Sequence, residues 1–204
     1  GGFAIAAVII ALFALWELRT EEPMLPVRIF RNLRFTAASV SITAAFFALF
    51  GFIFLVTQYF QLVREYTPLQ AGIRTVPVAA AIAVASVIAP LLVQRIGTKY
   101  VVSLGLLLLG TGFAWMSQLE SDTAYGVIVL QMMFNGFGLG FTTTPATESI
   151  MGSLTPDKAG IGSAVNDTTR ELGGTLGVAV IGSVFTSVYV GDLRDGAVFS
   201  GLAP

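Results

Sequence analysis

Glu148, Asp167, Arg170 and Glu171 are the charged side chains of this sequence that could assemble into an acid–base group, because its 204 residues include neither histidine nor cysteine. Lacking histidine, the chain has no ordinary proton shuttle or favoured metal ligand; lacking cysteine, it has no thiolate or disulfide chemistry. Asp167 and Arg170 stand at i and i+3, where helical side chains can pair. With Glu148 and Asn166 they read as a polar cluster held by a salt bridge, not as a catalytic centre or a proton relay. No catalytic residue, metal site or cofactor is assigned, and no enzymatic activity is expected. The glycines at 136, 138 and 140 do not make a dinucleotide fingerprint, since the third glycine is misplaced and no strand precedes them.

Two other patterns have the chemistry of binding. Residues 135–156, NGFGLGFTTTPATESIMGSLTP, combine apolar side chains with glycine, hydroxyls and proline, all poor residues for a soluble helix interior. At 100° per residue, Gln131, Asn135, Gly138, Thr142, Pro145 and Ser149 share one stripe. Gly136, Gly140, Thr143 and Thr147 share another, a small-xxx-small run suited to close helix packing. Amides in an apolar medium need partners, so Gln131, Asn135 and Thr142 are candidates for lining a cavity, with plain helix packing the alternative. Pro145 withholds a donor one turn back and permits a kink. Along 35–61, Thr43, Phe47, Phe50, Phe54, Gln58 and Gln61 also share a face. Rings with a few amides suit large, greasy or cationic molecules. Phenylalanines facing lipid or core are the bland alternative; Thr43 and Gln58 on the same face favour a cavity.

The elements that would carry these stripes follow from composition. Of the chain, 55% is hydrophobic and 11% charged, and the net charge of −1 points neither to nucleic acid nor to a basic partner. Six apolar runs, near 2–16, 35–60, 72–94, 100–117, 124–150 and 162–190, approach or exceed the roughly 20 residues a bilayer demands. They lack the alternation of transmembrane strands. The expected fold is therefore all-α, a polytopic transmembrane helical bundle in a lipid bilayer. Arg19, Arg28, Arg31, Arg34, Arg95, Lys99, Lys158 and Arg170 fall on one side and only Arg64, Arg74 and Arg194 on the other, so the first side is expected to be cytoplasmic. Further along 155–185, Ser163, Asn166, Asp167, Arg170, Gly174, Gly177 and Ile181 form a stripe that is polar at one end and glycine-rich deeper in.

Taken in order, QYFQLVREYTPLQAGIRTVPVAAA, APLLVQRIGTKYVVSLGLLLLGTG, NGFGLGFTTTPATESIMGSL and AGIGSAVNDTTRELGGTLGVAVIGSVF resemble the C-terminal half of major facilitator superfamily transporters. They are most similar to the fourteen-helix branch of drug:proton antiporters. The resemblance implies that 1–16 end an extra central helix, 17–34 form a cytoplasmic loop, 35–190 form five helices of the C-terminal bundle, and 191–204 form an extracytoplasmic loop before a last helix. It implies Arg95, Gly97 and Lys99 as a degenerate form of the superfamily's cytoplasmic G-x-L-x-D-R-x-G-R-K loop, with Pro90 and Gln94 in place of its first glycine and its aspartate. Glu65 stands where such relatives often carry glycine. The implied function is proton-coupled export of hydrophobic or amphipathic small molecules across a plasma membrane, in a bacterium the inner membrane. Its partners would be substrate, protons and the N-terminal half of the same transporter, without which this stretch should not transport. A facilitator or importer of another solute on the same fold is the alternative.

Overall fold

In hydrocarbon every backbone N–H and C=O must be satisfied within the protein, which leaves helices or closed barrels. The computed structural model describes residues 2–19, 27–120 and 122–199, and among them no strand occurs. Helix α1 spans Gly2–Arg19 and is followed by a 3-10 turn at Val27–Arg31; α2 spans Leu33–Gln58 and runs into a π turn at Tyr59–Val63. Next come α3 (Pro68–Arg74), α4 (Val76–Ile96), α5 (Thr98–Met116) and α6 (Tyr125–Met151), then a 3-10 turn at Pro156–Lys158 and α7 (Ala159–Phe199). Among the described residues, five spans are long and apolar enough to cross a membrane: Leu33–Val63, Pro68–Ile96, Thr98–Met116, Tyr125–Met151 and Pro156–Val188.

Local chemistry sets several boundaries. Asn32 caps α2 by accepting from the Arg34 amide at 3.0 Å. Thr67 and Gln70 form a reciprocal capping box around Pro68, which is why the third span starts at 68 and not at 72 as its apolarity indicates. The sequence reading also ends the last segment at 190, yet α7 is helical to Phe199. Apolarity marks where a segment suits hydrocarbon, whereas helical hydrogen bonding continues until a breaker stops it, and 191–199 contain no proline. Likewise α1 continues through Arg19, beyond the expected limit of 16. The middle of the expected 17–34 loop, residues 20–26, and the final 200–204 lie outside the described residues.

Packing is organised around α6. Half of its best membrane window is buried, against 17–28% for the other four spans. The most extensive helix pairs are α2 with α7, α4 with α6 and α5 with α6, and α2 and α6 join the pairs across the centre. Buried side chains fill the joint in three layers. Phe52, Val56, Phe60, Ile128 and Met132 lie at one end, Ala45, Leu109 and Leu139 in the middle, and Phe35, Ile42, Ala146, Ile150 and Val165 at the other. By contrast α1 packs substantially only on the 27–31 turn and leaves Ile5, Val8, Ile9, Leu12 and Phe13 exposed.

Among the described residues, two backbone positions have positive φ. Gly97, which joins α4 to α5, sits at φ 87 and ψ 155, a region L side chains rarely enter. Glu65 has φ 53, the left-handed region that glycine enters without a Cβ penalty. Gly97→Ala is therefore expected to lose about 1–3 kcal/mol through backbone strain alone, since a Cβ there would touch nothing within 4 Å. Thermal unfolding in detergent should show a lowered midpoint for Gly97→Ala and none for Gly110→Ala, whose Cβ also meets open space.

Candidate functional site

The polar stripe of α6 faces α5. Gln131 is 2% exposed, Asn135 3% and Thr142 0%, and the glycines of α5 lie flat against them. A Cβ on Gly112 would fall 2.7 Å from Asn135 Nδ2, and one on Gly105 would overlap Thr142 Oγ1. Gln131 Nε2 donates to the Trp115 carbonyl at 3.2 Å, Asn135 Nδ2 to the Gln131 carbonyl at 2.9 Å, and Thr142 to the Gly138 carbonyl at 2.8 Å. Gln131 Oε1 and Asn135 Oδ1 are buried and accept nothing. The expectation of cavity-lining amides thus meets a different geometry: these three residues sit in a closed helix seam. Periodicity identified the face, but a stripe carries no label for the neighbour it meets. Pro145 is buried with them, and α6 stays helical through it.

The small-residue faces make the other seams. Gly136 and Gly140 lie against α4, where a Cβ would stand 2.7 Å from the Val78 carbonyl oxygen and 3.0 Å from that of Ile82, respectively. On α7, Gly177 meets the Phe47 carbonyl oxygen so closely that a methyl would overlap it, and a Cβ on Gly174 would lie 3.0 Å from the Phe50 ring. The aromatic face of α2 therefore points at α7. Phe54 meets Phe185 edge-on at 5.9 Å, Phe47 offers its backbone, and Thr43 returns its hydroxyl to the Ser39 carbonyl at 3.0 Å. Thr43 also borders an open recess of about 450 Å³ between α2 and α7 with Val40, Thr168 and Leu172. Gln58 is half-buried at the far end of α2 and borders a recess of about 440 Å³ with Tyr59, Phe113 and Met116, three residues the periodicity argument did not name.

Arg170 occupies the crevice where α2, α6 and α7 meet. Its guanidinium lies over the Phe46 ring at 5.2 Å, and Nη2 donates to Thr147 Oγ1 at 3.3 Å. Thr147 donates in turn to Asn166 Oδ1 at 3.2 Å. The expected Asp167–Arg170 salt bridge does not form: Asp167 is exposed, and the long apolar stem of Arg170 follows the crevice toward Phe46 instead. Glu148 is exposed at the end of α6 and takes no part. Phe46, stacked on Phe50 at 6.3 Å, and Thr147 are the members of this group that the sequence reading assigned elsewhere or left out. The signal for Phe46 lay in its position four residues before Phe50.

The two ends of the bundle differ. At one, Arg64 donates through Nε to the Tyr59 hydroxyl at 3.0 Å and through Nη2 to the Thr123 carbonyl, while Tyr59 donates to the Glu120 carbonyl at 2.9 Å. Arg74 lies 3.9 Å over the Tyr66 ring, and Tyr125 donates to the Arg74 carbonyl at 3.2 Å. These bonds lash the end of α2 and the start of α4 to the α5–α6 connection. At the other end Arg95 and Lys99 are exposed on either side of Gly97, and Lys99 faces Arg34 across a recess of about 390 Å³.

Residues 1–178 match the family profile of the Major Facilitator Superfamily. The chain is 34% identical over 182 residues to the multidrug resistance protein Stp of Mycobacterium tuberculosis, covering 89% of this chain and 34% of that protein. It is 30% identical over 202 residues to the multidrug efflux pump LfrA of Mycolicibacterium smegmatis, covering 99% of this chain and 40% of the pump. It is also 31% identical over 193 residues to the tetracenomycin C resistance and export protein of Streptomyces glaucescens, covering 94% of this chain and 36% of that protein. The chain thus spans little more than a third of the length of these bacterial relatives. The match and the five membrane-length helices make it a stretch of a multi-pass membrane protein.

Seam geometry separates glycines that a methyl would disturb from those it would not. Gly136→Ala and Gly177→Ala are each expected to destabilise by about 1–3 kcal/mol, because the methyl must displace backbone. Gly182→Ala, whose Cβ would rest 3.6 Å from the Phe54 ring, should hold or raise the melting midpoint. The absence of native cysteine from the chain permits a second check. With a membrane-impermeant thiol reagent, Asn135→Cys should stay unlabelled in the folded protein while Gln58→Cys is labelled; equal labelling would contradict the closed α5–α6 seam.

Proposed function

The chain belongs to the major facilitator superfamily, and from that premise we propose that it is the C-terminal half of a secondary transporter that exports hydrophobic or amphipathic small molecules in exchange for protons. Carriers of this superfamily generally catalyse no covalent chemistry. In this reading two helical bundles rock about a site near the membrane midplane and expose it to each side in turn. This chain supplies one bundle, and we assign the proton-carrying carboxylates to the remainder of the protein, as the family resemblance implies.

The observation that carries the reading is the meeting of the stacked Phe46 and Phe50 rings with Arg170, Thr147 and Asn166, inside a bundle otherwise sheathed in apolar side chains. Flat rings give area to an apolar body, and a few fixed polar groups orient it, which is how pockets for amphipathic molecules are generally built. That the relatives are named as resistance and efflux proteins favours export over uptake. Of the aromatic-face candidates, Phe50, which is exposed, and Gln58, which borders the recess beside Tyr59, are proposed to touch substrate. Gln131, Asn135 and Thr142 are proposed to belong to the glycine-packed α5–α6 seam and not to touch substrate. The glycine seams let α2/α7 and α4/α6 move as tightly packed pairs.

Expression of the full-length protein in energised bacterial cells is expected to lower accumulation of a fluorescent lipophilic cation such as ethidium, and a protonophore should return it to the level of control cells. Unchanged accumulation, with the protein shown to be in the membrane, would overturn the exporter reading. Equilibration that ignores the protonophore would identify a facilitator.

A further inference from the structure

A guanidinium has five N–H donors and no acceptor, and that of Arg170 has one of them committed, to Thr147. Its Nε is buried and donates to nothing. No carboxylate of the described residues reaches it: Asp167, Glu148 and Glu171 are all exposed, and no ion pair forms on Arg170. Asn166 Oδ1 accepts from Thr147, and its Nδ2, which makes no hydrogen bond, is a further donor. Asn166 is itself 7% exposed. Arg170 as a whole is half-buried, with its Nε shut off from solvent; a cation so placed is best tolerated when paired, and the face of Phe46 compensates it only in part. The crevice is thus a cluster of donors around one positive charge with no negative charge in place.

We propose that Arg170, with Asn166 beside it, forms a receiving site for a single carboxylate. The planar fork of a guanidinium matches a carboxylate through two parallel bonds. One cation balances one unit of negative charge, which fits a carboxylate better than a doubly charged phosphate. The Phe46 and Phe50 rings beside it would cover an apolar body attached to that carboxylate. Two sources share this chemistry: an Asp or Glu side chain from the part of the protein outside this chain, or an acidic group on the transported molecule. The second source rests on the exporter reading; the first does not.

Arginine modification distinguishes the outcomes. The full-length protein in lipid nanodiscs is treated with phenylglyoxal, and adducts at Arg170 and at exposed Arg95 are quantified by mass spectrometry, with and without benzoate as the carboxylate probe. If the site takes a free carboxylate, benzoate slows modification of Arg170 in proportion to occupancy, by about tenfold at roughly ten times its Kd, and leaves Arg95 unchanged. If it holds a carboxylate of the same protein, Arg170 is slow without benzoate and speeds up by a similar factor in one Asp→Asn or Glu→Gln variant outside this chain. Two results overturn the proposal: modification of Arg170 at the rate of Arg95 with no response to benzoate, or slow modification that responds neither to benzoate nor to any such variant. The readout is chemical labelling, so a failed export assay and a failed anion site remain separate results.

Discussion

Backbone-to-backbone contact between helices is the constraint on which this bundle depends. Lipid tails are as apolar as leucine, so helices in a bilayer gain little by hiding apolar surface from one another and associate through close packing. Gly136 and Gly140 bring α6 onto the carbonyls of Val78 and Ile82, and Gly177 brings α7 onto that of Phe47. Between α5 and α6 the contact is reciprocal: a Cβ on Gly138 would stand 2.9 Å from the Gly105 carbonyl oxygen, and one on Gly105 would stand 2.7 Å from that of Gly138. Remove the closeness and the rest is displaced with it. Arg170 reaches Phe46 and Thr147 together because Gly173 and Gly177 hold α7 against α2 while α2 is held to α6 by the buried layers.

The polar side chains fit the same medium in a different way. Ser39, Thr43, Thr142, Ser149 and Thr168 each return a hydroxyl to the carbonyl four residues back. A hydroxyl satisfied by its own helix needs neither water nor a partner helix, so its presence in a membrane segment does not locate a cavity. The amides bond across or along the α5–α6 seam, yet each keeps a buried oxygen without a donor. Polar contacts between membrane helices are worth about 0.6 kcal/mol on average, and an unmade acceptor subtracts from that. Packing of the glycines, and not hydrogen bonding, must therefore hold this seam.

Much of the fold was legible for the same physical reason that it forms: long apolar runs broken by Thr67-Pro68, Gly97 and Thr155-Pro156 leave few alternatives to helices in lipid. The faces were legible too. Gln131, Asn135 and Thr142 do share one surface, Gly136 and Gly140 another, and Phe50 and Phe54 a third. The identity of each facing neighbour was not. A stripe of small and polar residues looks alike whether it meets α5 or an open cavity, because angular period encodes direction around one axis and nothing about the other axes. The Asp167–Arg170 pair failed for a related reason. Spacing permits an ion pair, but the choice between a solvent-side carboxylate and a crevice floored by Phe46 depends on α2, far away in sequence. The clamp of Arg64 on Tyr59 and Thr123 was equally hidden, since its acceptors lie across a turn and a whole helix pair.

Three arginines show how charge is distributed through this apolar body. Arg64, Arg74 and Arg170 all rest over aromatic rings, on Tyr59, on Tyr66 and Tyr125, and on Phe46. At the Arg64 end the rings carry hydroxyls, and two of these, of Tyr59 and Tyr125, close the arrangement with bonds to backbone carbonyls, so cation, ring and loop form a finished unit. Phenylalanine has no such handle. The Phe46 ring can attract Arg170, but it cannot pass the interaction on to a backbone acceptor, and the donors of the guanidinium stay open. The difference between a tyrosine and a phenylalanine beneath the cation is thus the difference between a structural clamp and a site still able to receive something. A bundle stitched tight at one end and chemically incomplete in the crevice between α2, α6 and α7 suits a component that pivots, because the stitched end resists separation of its helices while the open donors can exchange partners as the surroundings change.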